Sequence, residues 1–392
     1  MTRVTGDWLT RPATQRVMRL LTDAGHQAYA VGGCVRNALL GVAVADVDLS
    51  TDARPETVLA LAKNAGLKAV PTGIDHGTVT VVSQGEGYEI TTFRADVETD
   101  GRRAVVAFAD DIRQDAVRRD FTMNALYAAA DGTLVDPLGG LPDLQARIVR
   151  FIEDPTQRIR EDYLRILRFF RFTAWYGDPE QGLDAEALAA IAANLDGLTG
   201  LSRERVGAEI TKLLGAPDPA PAVAAMAQAG VLAVVLPGSD HKTLAPLVHL
   251  EARLGLQADA IRRLATTGFA DGAGLRLSRA KQSRLTRLHD LVSDTAGLAE
   301  IAWRHGADTA RDVLALRCAA LGHEPGKADE TAIADGAAAR FPVTARDLMP
   351  GLQGAELGAA LKEMERRWIA SGFSLGRADL LTGRGDSGGD LG

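Results

Sequence analysis

The sequence predicts an α+β head followed by an all-α remainder, and three observations carry that expectation. Between residues 27 and 93 short apolar runs, punctuated by glycine, alternate with helical spacings. Beyond about residue 146, apolar residues recur at the three-to-four spacing of amphipathic helices, interrupted by Gly, Pro and Asp. Aromatic residues are only 5% of the chain, while alanine and leucine are abundant, a composition that favours helices. With 392 residues there is enough chain for two or three cores.

In chain order, Val17, Met18, Leu20 and Leu21 place a helix over 12–24, stopped at Gly25, and a strand over 27–31 follows. The stretch Ala30-Val-Gly-Gly-Cys-Val-Arg-Asn-Ala-Leu-Leu-Gly41 reads as strand, glycine turn, short helix and glycine stop. A second strand then carries Asp46 and Asp48. Residues two apart on a strand share a face, so both acids project together and Val47 turns to the core. Two hard carboxylates seat Mg²⁺, which also takes water and substrate phosphates as ligands. Gly32 and Gly33 let backbone approach such phosphates, and Arg36 adds charge to the same anion. Asp-x-Asp alone is an ordinary solvated strand end; the ordered combination is what carries the specificity.

Pro55 opens a helix to about residue 64, and 67–71, 78–83 and 88–93 form a meander around the turn 72–77. Glu89 lies on a strand able to stand beside the Asp46/Asp48 strand, which makes it a candidate third carboxylate. His76 reads as a turn hydrogen-bonder. Residues 92–103, rich in charge and turn formers, read as a surface loop. Arg118-Arg119-Asp120 sets two cations and an acceptor ahead of Phe-Thr-Met-Asn-Ala-Leu126. Over 159–172 the spacing predicts one continuous helix, with Tyr163, Leu164, Ile166, Leu167 and Phe170 on one side and Asp162, Arg165, Arg168 and Arg171 as a polar ribbon on the other. Ser202 caps a helix to Leu214, the Gly/Pro stretch 215–221 marks a boundary, and helices continue to about 380. Among these, 275–288 is strongly basic, whereas His289-Asp290 reads as a helix-surface pair.

The ordered blocks Gly-Gly-x-Val-Arg-x-x-Leu-Leu-Gly, then Asp-x-Asp-x-x-Thr, Arg-Arg-Asp-Phe-Thr-x-Asn-Ala-Leu, and Glu-Asp-x-x-Arg-x-x-Arg-x-x-Arg-Phe resemble the signatures of class II tRNA nucleotidyltransferases and bacterial poly(A) polymerases, in the polymerase-β superfamily. Asn37 stands where that family usually carries an acid. The Asp136-Pro segment is similar to the family's head–neck hinge, with one residue inserted if Gly139 is the motif glycine. The resemblance implies a polymerase-β-like palm over 1–145, a helical neck with a nucleotide-template helix over 146–215, a tRNA-binding helical body and tail over 216–382, and a disordered end at 383–392.

It further implies addition of C, C and A to the tRNA 3′ end from CTP and ATP, with two Mg²⁺ on Asp46 and Asp48; Glu89, from its strand placement alone, is a candidate further metal ligand or a solvent-facing strand residue. Gly33, Arg36, Arg119, Asp120, Asp162, Arg165, Arg168 and Arg171 would bind nucleotide. Of these, Arg119 and Asp120 would select ribose, Asp162 and Arg165 would read the base edge, and Arg168 and Arg171 would bind triphosphate or brace the template. Glu204 and Arg205 would brace the template helix. In that family the 92–103 loop serves the change from C to A addition, and its Asp100-Gly-Arg-Arg103 run tilts against a CC-only enzyme.

A poly(A) polymerase or an enzyme adding only CC or A is the alternative within the family. The poly(A) polymerase alternative is disfavoured by the absence of the Arg-rich stretch those relatives carry after the first motif, together with the acidic total. A non-catalytic RNA-binding protein is the alternative outside it. A net charge of −7 requires that RNA be held by local basic surface. Two cysteines without a Cys-x-x-Cys partner, an N-terminus lacking an apolar core, and no run long enough to span a bilayer predict a cytoplasmic protein. No membrane, haem or flavin is expected.

Overall fold

The computed structural model describes residues 2–99 and 104–382 and divides into two compact units, Met1–Pro237 and Gly238–Gly392. In the first unit β1 (Ala28–Val31), β2 (Asp48–Thr51), β3 (Lys68–Gly73), β4 (Thr78–Ser83), β5 (Glu86–Thr92), β8 (Tyr127–Ala128) and β9 (Leu134–Val135) form one sheet of order β3-β4-β5-β2-β1-β8-β9. All its pairs are antiparallel except β2 with β5, which run parallel. Parallel neighbours need a crossover. Helix Pro55–Asn64 and the β3–β4 hairpin supply it.

Helices Pro12–Thr22 and Pro55–Asn64 pack together against β3, β4 and β5. They bury Val17, Met18, Leu21, Val58 and Ala62. On β4 and β5 the alternation places Val79, Val81, Tyr88 and Ile90 in the core. The expected α+β head is therefore present.

Residues 92–103 are not simply a loop. Cross-strand pairing from Arg94↔Phe108 to Thr99↔Ala104 makes an antiparallel ribbon of β6 (Arg94–Thr99) and β7 (Ala104–Phe108). Charge and turn residues hid it, because a two-stranded ribbon needs no buried face to satisfy its backbone. The run Asp100-Gly-Arg-Arg103 and the expected disordered end 383–392 lie outside the described residues.

The expected continuous helix over 159–172 is two helices, Pro155–Glu161 and Leu164–Tyr176, separated at Asp162, whose backbone is extended (φ −154, ψ 103). The second buries Leu164, Ile166, Leu167, Phe169, Phe170 and Phe172. Phe121, immediately after the Arg-Arg-Asp block, inserts among Phe151, Phe169 and Phe172 with ring centroids 5.0, 6.3 and 5.1 Å away. Burying such a ring contributes about 1.5–3 kcal/mol, so the block is pegged to the helices that follow.

The boundary expected at 215–221 turns the chain without ending the unit. Helix Ala220–Gln228 packs back on Leu164–Tyr176, burying Ala222, Val223 and Met226. The second unit is helical. Glu251, 3% exposed, accepts from Nε of Arg262 and of Arg263, both at 2.9 Å, and Arg262 also reaches Asp312 at 2.7 Å. On the basic helix Arg279–Ser293, Arg284 turns inward to Asp259 and Asp312, while His289 and Asp290 remain exposed.

The Asp136-Pro segment wraps tightly around Thr122. Asp136 accepts from the backbone N–H groups of Gly140 (2.8 Å) and Leu141 (2.9 Å), and the Thr122 hydroxyl donates to Asp143 at 2.8 Å. A Cβ on Gly140 would stand 2.3 Å from the Thr122 carbonyl oxygen, whereas one on Gly139 would meet nothing within 4 Å. Gly140 is thus the glycine the segment requires, and counted from it no residue is inserted before Asp143-Leu144. Gly140→Ala should lower unfolding free energy by about 1–3 kcal/mol through overpacking, and Gly139→Ala by only about 1 kcal/mol through its positive φ of 71°. Thermal melts of the two variants check this; equal losses would remove the close-approach argument.

Candidate active site

β1 delivers the chain to Gly32, whose φ of 70° and ψ of −117° suit glycine. The chain then enters helix Gly33–Leu39, ends it at Gly41, and returns to β2. That strand begins at Asp48, so Asp46 lies in the segment before it and not on it. The alternation persists nonetheless: Val47 is 4% exposed between two exposed acids. The parallel register sets Asp48 directly opposite Glu89, so the third carboxylate stands on the neighbouring strand. Desolvation at the strand end, then the charges of Glu89 and Asp46, push the Asp48 carboxyl above its ordinary range, against the opposing pull of Arg119.

Asp46, Asp48 and Glu89 are hard oxygen donors of the kind a divalent cation takes, but among the described residues no group of three His, Cys, Asp or Glu side chains is arranged to hold an ion. An ion on Asp46 and Asp48 would therefore need water and substrate oxygens as its further ligands. Cys34, buried in the same turn, offers no competing soft ligand: burial pushes its thiol up to about 11, and it donates to the Val31 carbonyl.

The Arg118-Arg119-Asp120 block follows helix Ile112–Val117 and is largely buried. Arg118 and Arg119 both pair with Asp115, at 3.1 and 3.0 Å. Arg119 also donates to the Tyr127 hydroxyl at 3.1 Å and the Ser50 hydroxyl at 3.3 Å. Asp120 accepts from the Phe121 N–H and Asn124 Nδ2, both at 2.8 Å, and from Arg168 Nε at 2.7 Å. Burial opposes its ionisation, but Arg168 and Asn124 outweigh that and hold the carboxyl low.

The break between the two neck helices is itself part of the site. Asp162 accepts from the Leu164 N–H at 3.1 Å through one oxygen and from Arg205 at 2.6 Å through the other. Arg165 donates to Glu161 (2.6 Å), the Arg158 carbonyl (2.7 Å) and the Arg118 carbonyl (3.1 Å), and its Nε takes no partner among the described residues. Arg171 pairs with the buried Glu209 at 2.6 Å. The ribbon Asp162–Arg165–Arg168–Arg171 is therefore an ion-paired seam and not a solvated face. Arg168 and Arg171 are each ion-paired, to Asp120 and Glu209.

Arg36 is 6% exposed and donates only to neutral acceptors: Asn37 (2.9 Å), Asn124 (2.6 Å) and Tyr176 (2.8 Å). Its guanidinium lies 4.0 Å from the Tyr176 ring centroid. Desolvation lowers its pKa. The structure makes it a bridge from the glycine turn to helix Leu164–Tyr176; its Nη2 still lies near Gly33. Asn37 closes the turn by donating to the Ala43 carbonyl at 3.1 Å.

Sequence reasoning missed Asp115, Asn124, Tyr127, Tyr176 and Glu161. Asp115 carried a signal, an acid three and four residues before two arginines. Tyr176 carried none, because its contact crosses from helix to head. Glu209 went unread as well, and Arg205, expected to brace the template helix, donates to Asp162 at 2.6 Å.

Residues 28–150 match the family described as "Poly A polymerase head domain", and 182–242 the family described as "Probable RNA and SrmB- binding site of polymerase A". The chain is 44% identical over 196 residues to the mitochondrial CCA tRNA nucleotidyltransferase 1 of Homo sapiens, covering 50% of this chain and 45% of that protein. It is 40% identical over 228 residues to the CCA-adding enzyme of Geobacillus stearothermophilus, covering 58% and 54%. The chain thus spans about half the length of the curated relatives it matches. The fold superposes on the Bacillus stearothermophilus CCA-adding enzyme in complex with CTP with a TM-score of 0.71 at 28% identity, covering 92% of each chain. On the Thermotoga maritima CCA-adding enzyme complexed with tRNA the TM-score is 0.67 at 18% identity, covering 97% of this chain and 98% of that one, a likeness of fold.

Asp115 and Asp120 give a pH signature. Arg119 and Arg118 outweigh burial and hold Asp115 at about 2, below its ordinary 3.8, and Asp120 is depressed as well. A depressed folded-state pKa supplies stability above the unfolded value and loses it as pH falls towards the folded one. Denaturant unfolding should therefore show stability falling between about pH 4 and about pH 2. Asp115→Asn should flatten that slope while lowering stability at neutral pH by about 3–5 kcal/mol, because buried guanidinium charge loses its counter-ion. A slope unchanged by the substitution would contradict this assignment.

Proposed function

We propose that the chain is a tRNA nucleotidyltransferase of the kind its head-domain match, its CCA-adding relatives and its fold point to, and that it adds C, C and A to the 3′ end of tRNA from CTP and ATP, releasing pyrophosphate. The observation that supports the reading most is the pairing of β2 with β5, which sets Asp48, two residues after Asp46, directly opposite Glu89. Asp46 and Asp48, with Glu89 alongside, would hold Mg²⁺. When bound, the ions lower the pKa of the primer 3′-hydroxyl and stabilise charge on the α-phosphate and the departing pyrophosphate.

The protein's own part is positioning, the larger share of phosphoryl-transfer catalysis. Gly32 and Gly33 keep side chains away from the triphosphate, and Arg119 beside them is a fixed cation for ribose and phosphate oxygens. Asp162, immobilised by the Leu164 N–H and Arg205, presents an acceptor for an exocyclic amine. Arg165, anchored by Glu161 and two carbonyls, keeps its Nε–H for a base acceptor. Cytosine offers a donor amine with N3 and O2 acceptors, and adenine an N6 donor with an N1 acceptor, so one Asp–Arg pair serves both after a small shift. The two free cysteines suit the cytoplasm, where thiols stay reduced.

Extension of a tRNA transcript lacking its last three nucleotides, with Mg²⁺, tests the reading. CTP alone should add two residues, and ATP should then add one. A ladder of A would make the protein a poly(A) polymerase, arrest after two C a CC-adding enzyme, and no extension an RNA-binding protein. Asp48→Ala should abolish extension while leaving tRNA retention on a filter and the melting temperature near wild type. A variant that no longer folds would make the acid pair structural.

A further inference from the structure

Asp115 has no part in the chemistry above, yet it is fully buried, and its carboxylate is ringed by donors. They are Nε of Arg118 (3.1 Å), Nη2 of Arg119 (3.0 Å) and the hydroxyls of Tyr127 (2.9 Å) and Ser50 (3.4 Å). Burying a charge is unfavourable unless donors converge on it in this way. Two of those donors also grip Arg119. The Tyr127 hydroxyl accepts from its Nε at 3.1 Å and the Ser50 hydroxyl from its Nη2 at 3.3 Å, while its guanidinium lies 5.3 Å from the Tyr127 ring centroid.

A planar guanidinium held at two of its three nitrogens has little freedom to rotate. The third, Nη1, takes no partner among the described residues and lies against the glycine turn: a Cβ on Gly32 would stand 3.4 Å from it. Ser50 follows Asp48 by two residues on the same face of β2. The socket therefore opens beside the carboxylates.

We propose that Asp115, with Tyr127 and Ser50, is the positioning group that aims Nη1 of Arg119 at the ribose 2′-hydroxyl of the incoming nucleoside triphosphate, and so sets the preference for ribo- over deoxyribonucleotides. The inference rests on the nucleotidyltransferase reading. Asp120, the other residue expected at the ribose, has both carboxylate oxygens committed to Phe121, Asn124 and Arg168, which leaves Arg119 as the discriminating donor. A site built to bond a hydroxyl rejects the analogue lacking it, because its fixed donor is then left unpaired. If the donor swings away, both nucleotides are bound alike.

The test compares steady-state extension with CTP and with dCTP for wild type, Asp115→Asn and Tyr127→Phe, on a tRNA lacking its last three nucleotides. The wild type should favour CTP. In Asp115→Asn the ratio of kcat/KM for CTP to that for dCTP should fall about 10- to 100-fold, mainly through a higher KM for CTP. In Tyr127→Phe, which keeps the ring and loses only the hydroxyl, it should fall several-fold in the same direction. A purely structural role would reduce both substrates by one factor and leave the ratio at its wild-type value. That result in variants whose near-ultraviolet circular dichroism matches wild type overturns the proposal. Should Asp115→Asn not fold, Tyr127→Phe decides. A wild type that extends nothing overturns the nucleotidyltransferase reading, and the inference with it.

Discussion

The ion pair between Asp120 and Arg168 holds the rest of the site in register. It joins the sheet-bearing head to helix Leu164–Tyr176, and the aromatic peg of Phe121 beside it prevents the two from sliding. A buried pair of this kind adds little net stability over a well-packed apolar substitute, because desolvation offsets the attraction. What it does supply is geometry. With Arg168 fixed, Asp162 and Arg165 at the start of that helix are held at a set place relative to Gly32, Asp48 and Arg119.

Almost every cation of the site is paired with a carboxylate, though Asp115 also takes Arg118 and Glu161 also takes Arg158. Arg119 has Asp115, Arg165 has Glu161, Arg168 has Asp120 and Arg171 has Glu209. In a chain of net charge −7 this arrangement lets arginines stay pre-aimed without a broad basic field around them. Arg36 is the exception. It hydrogen-bonds two amide oxygens and one phenol and faces an aromatic ring, so its direct partners are dipoles and the ring quadrupole, with the Asp120 charge acting on it without a hydrogen bond.

The chain's local chemistry made much of this legible. Glycine turns, the alternation around Val47 and the capping serine at 202 are written in neighbouring residues, because turns, strands and caps are decided by backbone sterics and short-range hydrogen bonds. Glu89 was legible as a residue on a strand able to stand beside the Asp46/Asp48 strand, but its register directly opposite Asp48 was not. Strand order depends on a crossover through helix Pro55–Asn64, which no local pattern encodes. The helix break at Asp162 was concealed by a clean helical periodicity on both sides of it. Its cause is tertiary: Arg205 holds the carboxylate from another helix, while the same side chain caps the Leu164 N–H.

By itself, then, the sequence determined the fold class, the order of most elements and which residue types stand at the glycine turn. Those follow from periodicity and motif spacing. Only the tertiary structure decided which guanidinium nitrogens are left open and which are consumed in ion pairs, because a guanidinium is open or occupied according to the carboxylates that folding brings to it. Glu209 and Tyr176 make that assignment from 38 and 140 residues away along the chain. Over such separations contact is set by packing and not by sequence spacing.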